Sequence, residues 1–115
     1  MLKLLIIIKE IIMNQLLDLV TPGEVLEEEF MKPLHISQNQ LARDIDVAPS
    51  RIHAIVHGRR SITADMALRL GKYFQNSAQM WINLQSHYDL ELAERNSWPY
   101  IKDRIRTMQI PRAAS

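Results

Sequence analysis

Residues 37–60 constrain this chain more than any other stretch, because two helix starts, a turn and a helix stop fall within 24 residues. Ser37 is an N-cap type whose hydroxyl can accept from an orphan helix N–H, and Gln40 stands three residues on, where a capping box needs it. Ile36 and Leu41 flank the cap at the positions of a hydrophobic staple. Leu41, Ala42 and Ile45 recur at helical spacing and should face inward, with Ala42 small enough for a second helix to pack close. Arg43 and Asp44 are left to solvent. Asp46 and Val47 form the turn, with Val47 pointing back to the core. Pro49 then suits the first position of a new helix, where no N–H is needed and its fixed φ fits.

In that second helix Ile52, Ile55 and Val56 fall within a narrow arc at about 100° per residue and form the buried stripe. Ser50, Ala54 and His57 lie opposite, with Arg51 and His53 on the flanks. Gly58 can take φ > 0 and stop the helix. The outward face therefore carries short side chains that let a helix sit deep in a groove, together with Ser, Arg and His groups that can bond base edges or phosphates. Arg59 and Arg60 follow at its end, placed for phosphate contact. Two short helices with a tight turn, the second offering such a face, read as a helix-turn-helix.

The overall charge does not announce a nucleic-acid binder, since 14 Lys and Arg stand against 13 Asp and Glu for a net of +1. Its distribution does. Residues 1–36 carry a net −3, residues 37–72 a net +3 and residues 73–115 a net +1, so the basic excess coincides with the proposed reading element. A chain of 115 residues, 47% of them hydrophobic, is expected to form one domain with a modest core. The absence of cysteine excludes a disulfide framework and a thiolate zinc site, and fits a reducing cytoplasm.

The apolar run from Leu4 to Ile8 is broken by Lys9 and Glu10 and is too short to span a bilayer. No small-residue cleavage site follows it. Met13 offers an alternative start, so residues 1–20 read as an extension ahead of the domain, with the first twelve upstream of the true start or forming a loosely packed strand or helix. Thr21, Pro22 and Glu24 then mark a helix start, as cap, N1 and N3. This first helix is expected from Pro22 to about Met31, with Val25, Leu26 and Phe30 inward and the acidic run Glu27, Glu28, Glu29 outward, either solvated or a patch for a basic protein. Pro33 should stop it.

After the reading helix, Thr63 caps a fourth helix with Ile62 as staple, and its N–H-bearing end would face a phosphate if the preceding loop lies along the backbone. Met66, Ala67, Leu70 and Phe74 make its inward stripe, with Arg69 and Lys72 at the surface. Gln75 and Asn76 break the pattern. Ser77 caps a fifth helix, where Trp81, Leu84 and Tyr88 recur and Trp81 reads as core. Ser97, Trp98 and Pro99 end the helical stretch. Beyond them Ile101, Ile105 and Met108 repeat at i, i+4 and i+7 among basic residues, as a dimer seam or a packed or frayed terminal helix would.

With these residues in place the chain resembles the HigA family of antitoxins, also called virulence-associated protein I, a branch of the lambda-repressor-like (XRE) DNA-binding proteins. The similarity runs from Thr21 to about Leu92. It is carried by Pro22-Gly23-Glu24-Val25-Leu26, Ser37-Gln38 with Leu41-Ala42, Pro49-Ser50-Arg51-Ile52, the run from Gly58 to Asp65 with Ala67-Leu68-Arg69-Leu70, and Trp81-Ile82-Asn83-Leu84-Gln85 ending in Tyr88-Asp89-Leu90. Each is weak alone; their order is specific. The resemblance implies an all-α fold, a five-helix domain over 21–92 with a C-terminal helical extension over 93–115. It also implies a homodimer on a palindromic operator and a HigB-like partner, an mRNA-cleaving toxin of the RelE type. By position in related repressors it puts Gln38 on the DNA backbone and Pro49, Ser50, Arg51 and Ala54 at the bases, with His53 beside them and Arg59 and Arg60 near phosphate. The first thirteen residues are outside the family pattern. His57 stands where many relatives carry Asn, at a cap or a phosphate contact.

Two other classes of function have some footing in the residues. His53 and His57 form an i, i+4 pair able to chelate a metal from one helix face, but no third ligand is evident, and no nucleophile elbow, phosphate loop or Cys-His set suggests an enzyme. The expectation is no enzyme, no metal and no cofactor. A stand-alone XRE-type regulator without a toxin, or a protein-interaction module built on the acidic first helix, are the alternatives to an antitoxin. The candidate DNA contacts are thus Gln38, Pro49, Ser50, Arg51, His53, Ala54, His57, Arg59, Arg60 and Thr63.

Overall fold

The computed structural model describes residues 3–6 and 19–111. Residues 3–6 are helical and exposed; the expectations for most of the amino-terminal extension and for 112–115 lie outside the described residues. Helix α1 comprises Pro22–Val25 and continues as π-helical turns over Leu26–Met31. It is followed by α2 (Gln38–Asp44), α3 (Pro49–Val56), α4 (Ala64–Phe74), α5 (Ala78–Asn96) and the short α6 (Trp98–Ile101), then a single 3-10 turn, Lys102–Arg104. No strand occurs among the described residues, so the fold is all-α. Helix α5 runs unbroken through Leu92.

Four of these helices start where a hydroxyl can cap them. Thr21, Ser37, Thr63 and Ser77 each accept from the backbone N–H three residues on, those of Glu24, Gln40, Met66 and Met80. Helix α3 instead starts on Pro49 with no side-chain cap. Its far end closes on Gly58 at φ 73°: the Gly58 N–H donates to the Ile55 carbonyl and the Arg59 N–H to that of Ala54, the paired bonds of a Schellman stop.

The core gathers Leu26 and Met31 from α1, Leu41, Ala42 and Ile45 from around α2, Ile52, Ile55 and Val56 from α3, Ile62, and Met66, Ala67, Leu70 and Trp81 from α4 and α5. The inward face of α1 differs from its expected one. Leu26 and Met31 are buried, whereas Val25 and Phe30 are half-buried. The cause is the π-helical step, seen where the Lys32 N–H reaches the Glu27 carbonyl at 2.9 Å: an i→i−5 bond brings residues five apart onto one side. Phe30 still packs its ring against Trp81 and Phe74, at centroid distances of 4.9 and 5.1 Å. Trp81 is core as expected, fully buried, with its indole N–H donating to Asn76 Oδ1 at 2.9 Å.

A helical extension beyond Leu92 is present, but the apolar repeat at its end does not lie on one helix. Helix α5 ends at Asn96, a short helical turn resumes at Trp98, and from Ile105 to Pro111 the backbone is no longer helical. Ile101, Ile105 and Met108 therefore do not share one helix, and Ile105 and Met108 are exposed. Pro111 and the loss of helix after the 3-10 turn leave the i, i+4, i+7 repeat without the periodic backbone that would align it. No described helix is long and apolar enough to cross a membrane.

Helix α1 crosses α3 at Gly23. A Cβ there would stand 1.8 Å from the Ile55 carbonyl oxygen, so the backbones meet with no room for a side chain. Gly23→Ala should destabilise the fold by roughly 1–3 kcal/mol or more, as overpacking against backbone does, and a thermal melt should show a clear fall in Tm; an unchanged melt would contradict this packing.

Candidate nucleic-acid interface

The α2–α3 turn is set by backbone geometry. Asp46 adopts φ 59°, a left-handed conformation that Asp tolerates better than most residues. The Asp46 N–H reaches back to the Arg43 carbonyl and the Val47 N–H to that of Ala42, so α2 ends in a second Schellman-type stop with Asp at the glycine position. Val47 is half-buried against the core, as its place in the turn required.

This turn is also held from α4. Arg69 was expected at the surface, yet its guanidinium is half-buried and donates from Nη1 to the carbonyls of Ile45 and Asp46 at 2.7 and 3.0 Å. Those carbonyls are among the orphans that a helix end leaves. Asp65 steadies the same arginine at 2.9 Å. Tyr73 adds a bond from its hydroxyl to Asp44 Oδ2 at 2.7 Å; that hydrogen bond holds the phenol above its usual pKa. The raised folded value means the bond's contribution is intact below about pH 10 and fades as pH rises through it.

Helix α3 buries Ile52, Ile55 and Val56, and its opposite side turns to solvent. Pro49, Ser50, His53 and His57 are exposed there, followed by Arg59, Arg60 and Thr63. Ala54 is half-buried, so the exposed side chains on this side of α3 are those of Ser50, His53 and His57. The two imidazoles stack at 4.0 Å between centroids. His53 Nδ1 lies 3.3 Å from Gln38 Oε1, which joins the start of α2 to the middle of α3, and His57 Nδ1 lies 2.9 Å from the His53 carbonyl.

Arg51 does not project freely. Its Nη2 is 3.4 Å from Thr63 Oγ1 and 3.7 Å from Asp65, so it bridges α3 to the start of α4. Thr63 thereby serves two bonds, capping Met66 and accepting from Arg51. The loop carrying Arg59 and Arg60 is anchored by Gln85, a buried α5 residue whose Oε1 accepts from the Ile62 N–H at 2.8 Å. Reading the sequence missed Arg69, Gln85 and the Tyr73–Asp44 pair as supports. No local signal marks them, because each reaches a partner more than twenty positions away. Among the described residues no group of three or more His, Asp or Glu side chains comes together to hold a metal ion.

Residues 28–81 match the helix-turn-helix family. Virulence-associated protein I of Dichelobacter nodosus is 51% identical over 77 residues, which cover 67% of this chain and 71% of that protein. The Pseudomonas aeruginosa antitoxin HigA, solved with the higBA promoter, is 42% identical, with a TM-score of 0.75 over 78% of this chain and 98% of that one. The chain belongs to the HigA family of helix-turn-helix antitoxins. Antitoxin GraA in complex with its operator is also similar, with a TM-score of 0.77 at 34% identity, over 82% of this chain and 95% of that one. Proteins of this family act as DNA-binding antitoxins and regulators, not as enzymes, and the HigA match spans the domain that presents α3.

The HigA-type turn in this chain depends on Arg69. Arg69→Met should cost roughly 1–3 kcal/mol, the range for charge-assisted bonds to groups then left unpaired. Amide exchange at Asp46 and Val47 should quicken beyond what the global loss explains; protection that falls evenly across the domain would argue against a local clamp.

Proposed function

We propose that this chain is a cytoplasmic antitoxin and autorepressor of the HigA type, which binds a palindromic operator in its own promoter as a homodimer and neutralises a HigB-like toxin, an mRNA-cleaving ribonuclease of the RelE type. The observation that carries the reading is the solvent-facing strip of α3, flanked by Arg59 and Arg60, in a chain whose family members have been solved on promoter and operator DNA. In this reading α3 lies in the major groove, and two such helices in a dimer are separated by about 34–36 Å, one turn of DNA.

The ten candidate residues divide by what surrounds them. Ser50 and His53 meet base edges, with Pro49 at the entry of the helix and Ala54 at the margin. Gln38, His57, Arg59, Arg60 and Thr63 border the phosphates, where donors fix register without reading sequence. Arg51, held by Thr63 and Asp65, acts chiefly as a positioning residue between α3 and α4. It reaches DNA only by giving up those partners.

A gel shift with the DNA upstream of the gene tests the reading; failure to bind it more tightly than random duplex at moderate salt would overturn it. Arg59→Ala should weaken binding to all sequences alike and reduce the salt slope by about one. Arg51→Ala should lower both operator affinity and thermal stability, whereas an arginine that reads a base would lose specific binding by roughly 1–3 kcal/mol with stability intact. Co-expression with the product of the neighbouring reading frame, scored for rescue of growth, tests the antitoxin role.

A further inference from the structure

We propose that His53 is a specificity-determining residue that reads an amino group on a base edge, the N6 amine of adenine or the N4 amine of cytosine, and that Gln38 fixes it in this role. The proposal rests on the reading that α3 enters the major groove. A neutral imidazole carries one hydrogen on two nitrogens, so the partner of one nitrogen decides what the other can do. At His57 the choice is unambiguous: Nδ1 faces the His53 carbonyl oxygen at 2.9 Å, an oxygen that only accepts. Its hydrogen sits on Nδ1, and Nε2 is left with a lone pair.

The same logic applies at His53, from a different element. Gln38 turns its amide oxygen to His53 Nδ1 at 3.3 Å, so Nδ1 donates and Nε2 becomes an acceptor. The stacked His57 ring, 4.0 Å away and tilted by 37°, limits how far His53 can turn. His53 is the fifth residue of α3 and stands exposed one turn beyond Ser50.

An acceptor at this place discriminates. In the major groove guanine shows two acceptors, N7 and O6, and thymine shows O4, whereas only adenine and cytosine offer an amine donor. Phosphate oxygens accept as well. A neutral His53 with its hydrogen committed to Gln38 therefore has no favourable bond with guanine, thymine or the DNA backbone, and has one with adenine or cytosine. Gln38 acts through His53: it leaves its own amine free for phosphate while its oxygen holds the ring.

Selection of bound sequences from a library of randomised half-sites, with the full-length protein, tests this. Wild type should prefer adenine or cytosine over guanine at one position of each half-site by roughly five- to tenfold, the scale of one net hydrogen bond. His53→Ala should flatten that position alone. His53→Arg, which replaces an acceptor with donors, should turn it toward guanine. Gln38→Leu should lower affinity for every sequence and also flatten the same position, because the released ring can move its hydrogen to Nε2; the ratio between bases, not the affinity, is the readout. Thermal melts check that each variant is folded. The proposal is overturned if His53→Ala weakens all sequences equally without changing any base preference, or if the position it alters favours guanine in wild type. A wild-type protein that selects no sequence would overturn the operator reading and this assignment together; selection that ignores His53 would overturn this assignment alone.

Discussion

The burial of Ile52, Ile55 and Val56 is the constraint from which the rest of the molecule follows. An eight-residue helix such as α3 is marginal by itself in water, so its existence depends on the apolar side it gives to the core. All three side chains are buried, and burying them fixes the rotation of the helix about its axis. Ser50, His53 and His57 then have nowhere to go but outward. Close approach makes the rotation definite: α1 meets α3 at Gly23 with no space for a Cβ beside the Ile55 carbonyl. The reading face is in this sense a by-product of packing, and its orientation is as firm as the core behind it.

Polar groups then fix the parts that apolar packing leaves loose. The turn before α3 and the loop after it are both short, and both are tied to more distant helices. Arg69 of α4 holds the carbonyls of Ile45 and Asp46, and Gln85 of α5 holds the N–H of Ile62. Arg51 links α3 to Thr63 and Asp65. Arg69 and Gln85 meet backbone groups at or beside helix ends that would otherwise be unpaired, and Arg51 meets the cap and first turn of α4. A protein that positions a short helix against another molecule needs this arrangement, since small rotations of α3 would displace every contact at once.

The local devices were legible in the residues themselves. Thr21, Ser37, Thr63 and Ser77 cap helices because a hydroxyl three residues before an N–H needs nothing from the rest of the chain. Pro49 and Gly58 bound α3 through φ alone. The departures share a different cause. Met31 joins Phe30 on the inner side of α1 because a π-helical step changes the period that side-chain spacing assumes. Arg51 folds onto Thr63 and Asp65 because the start of α4, twelve to fourteen residues downstream, comes to lie beside it. The terminal repeat of Ile101, Ile105 and Met108 has helical spacing but no helix, since periodicity shows where apolar residues would align if the backbone complied.

The order of α1 to α5 and where each starts, the stripe that α3 buries and the presence of a basic element around it were determined by the sequence alone, because capping, fixed φ and apolar period act within a few residues. Which oxygen His53 Nδ1 meets, where the Arg51 guanidinium rests and what closes the α2–α3 turn were decided only by tertiary structure. Those outcomes depend on partners brought from twelve to twenty-four positions away, and no local pattern specifies which distant oxygen a side chain will meet.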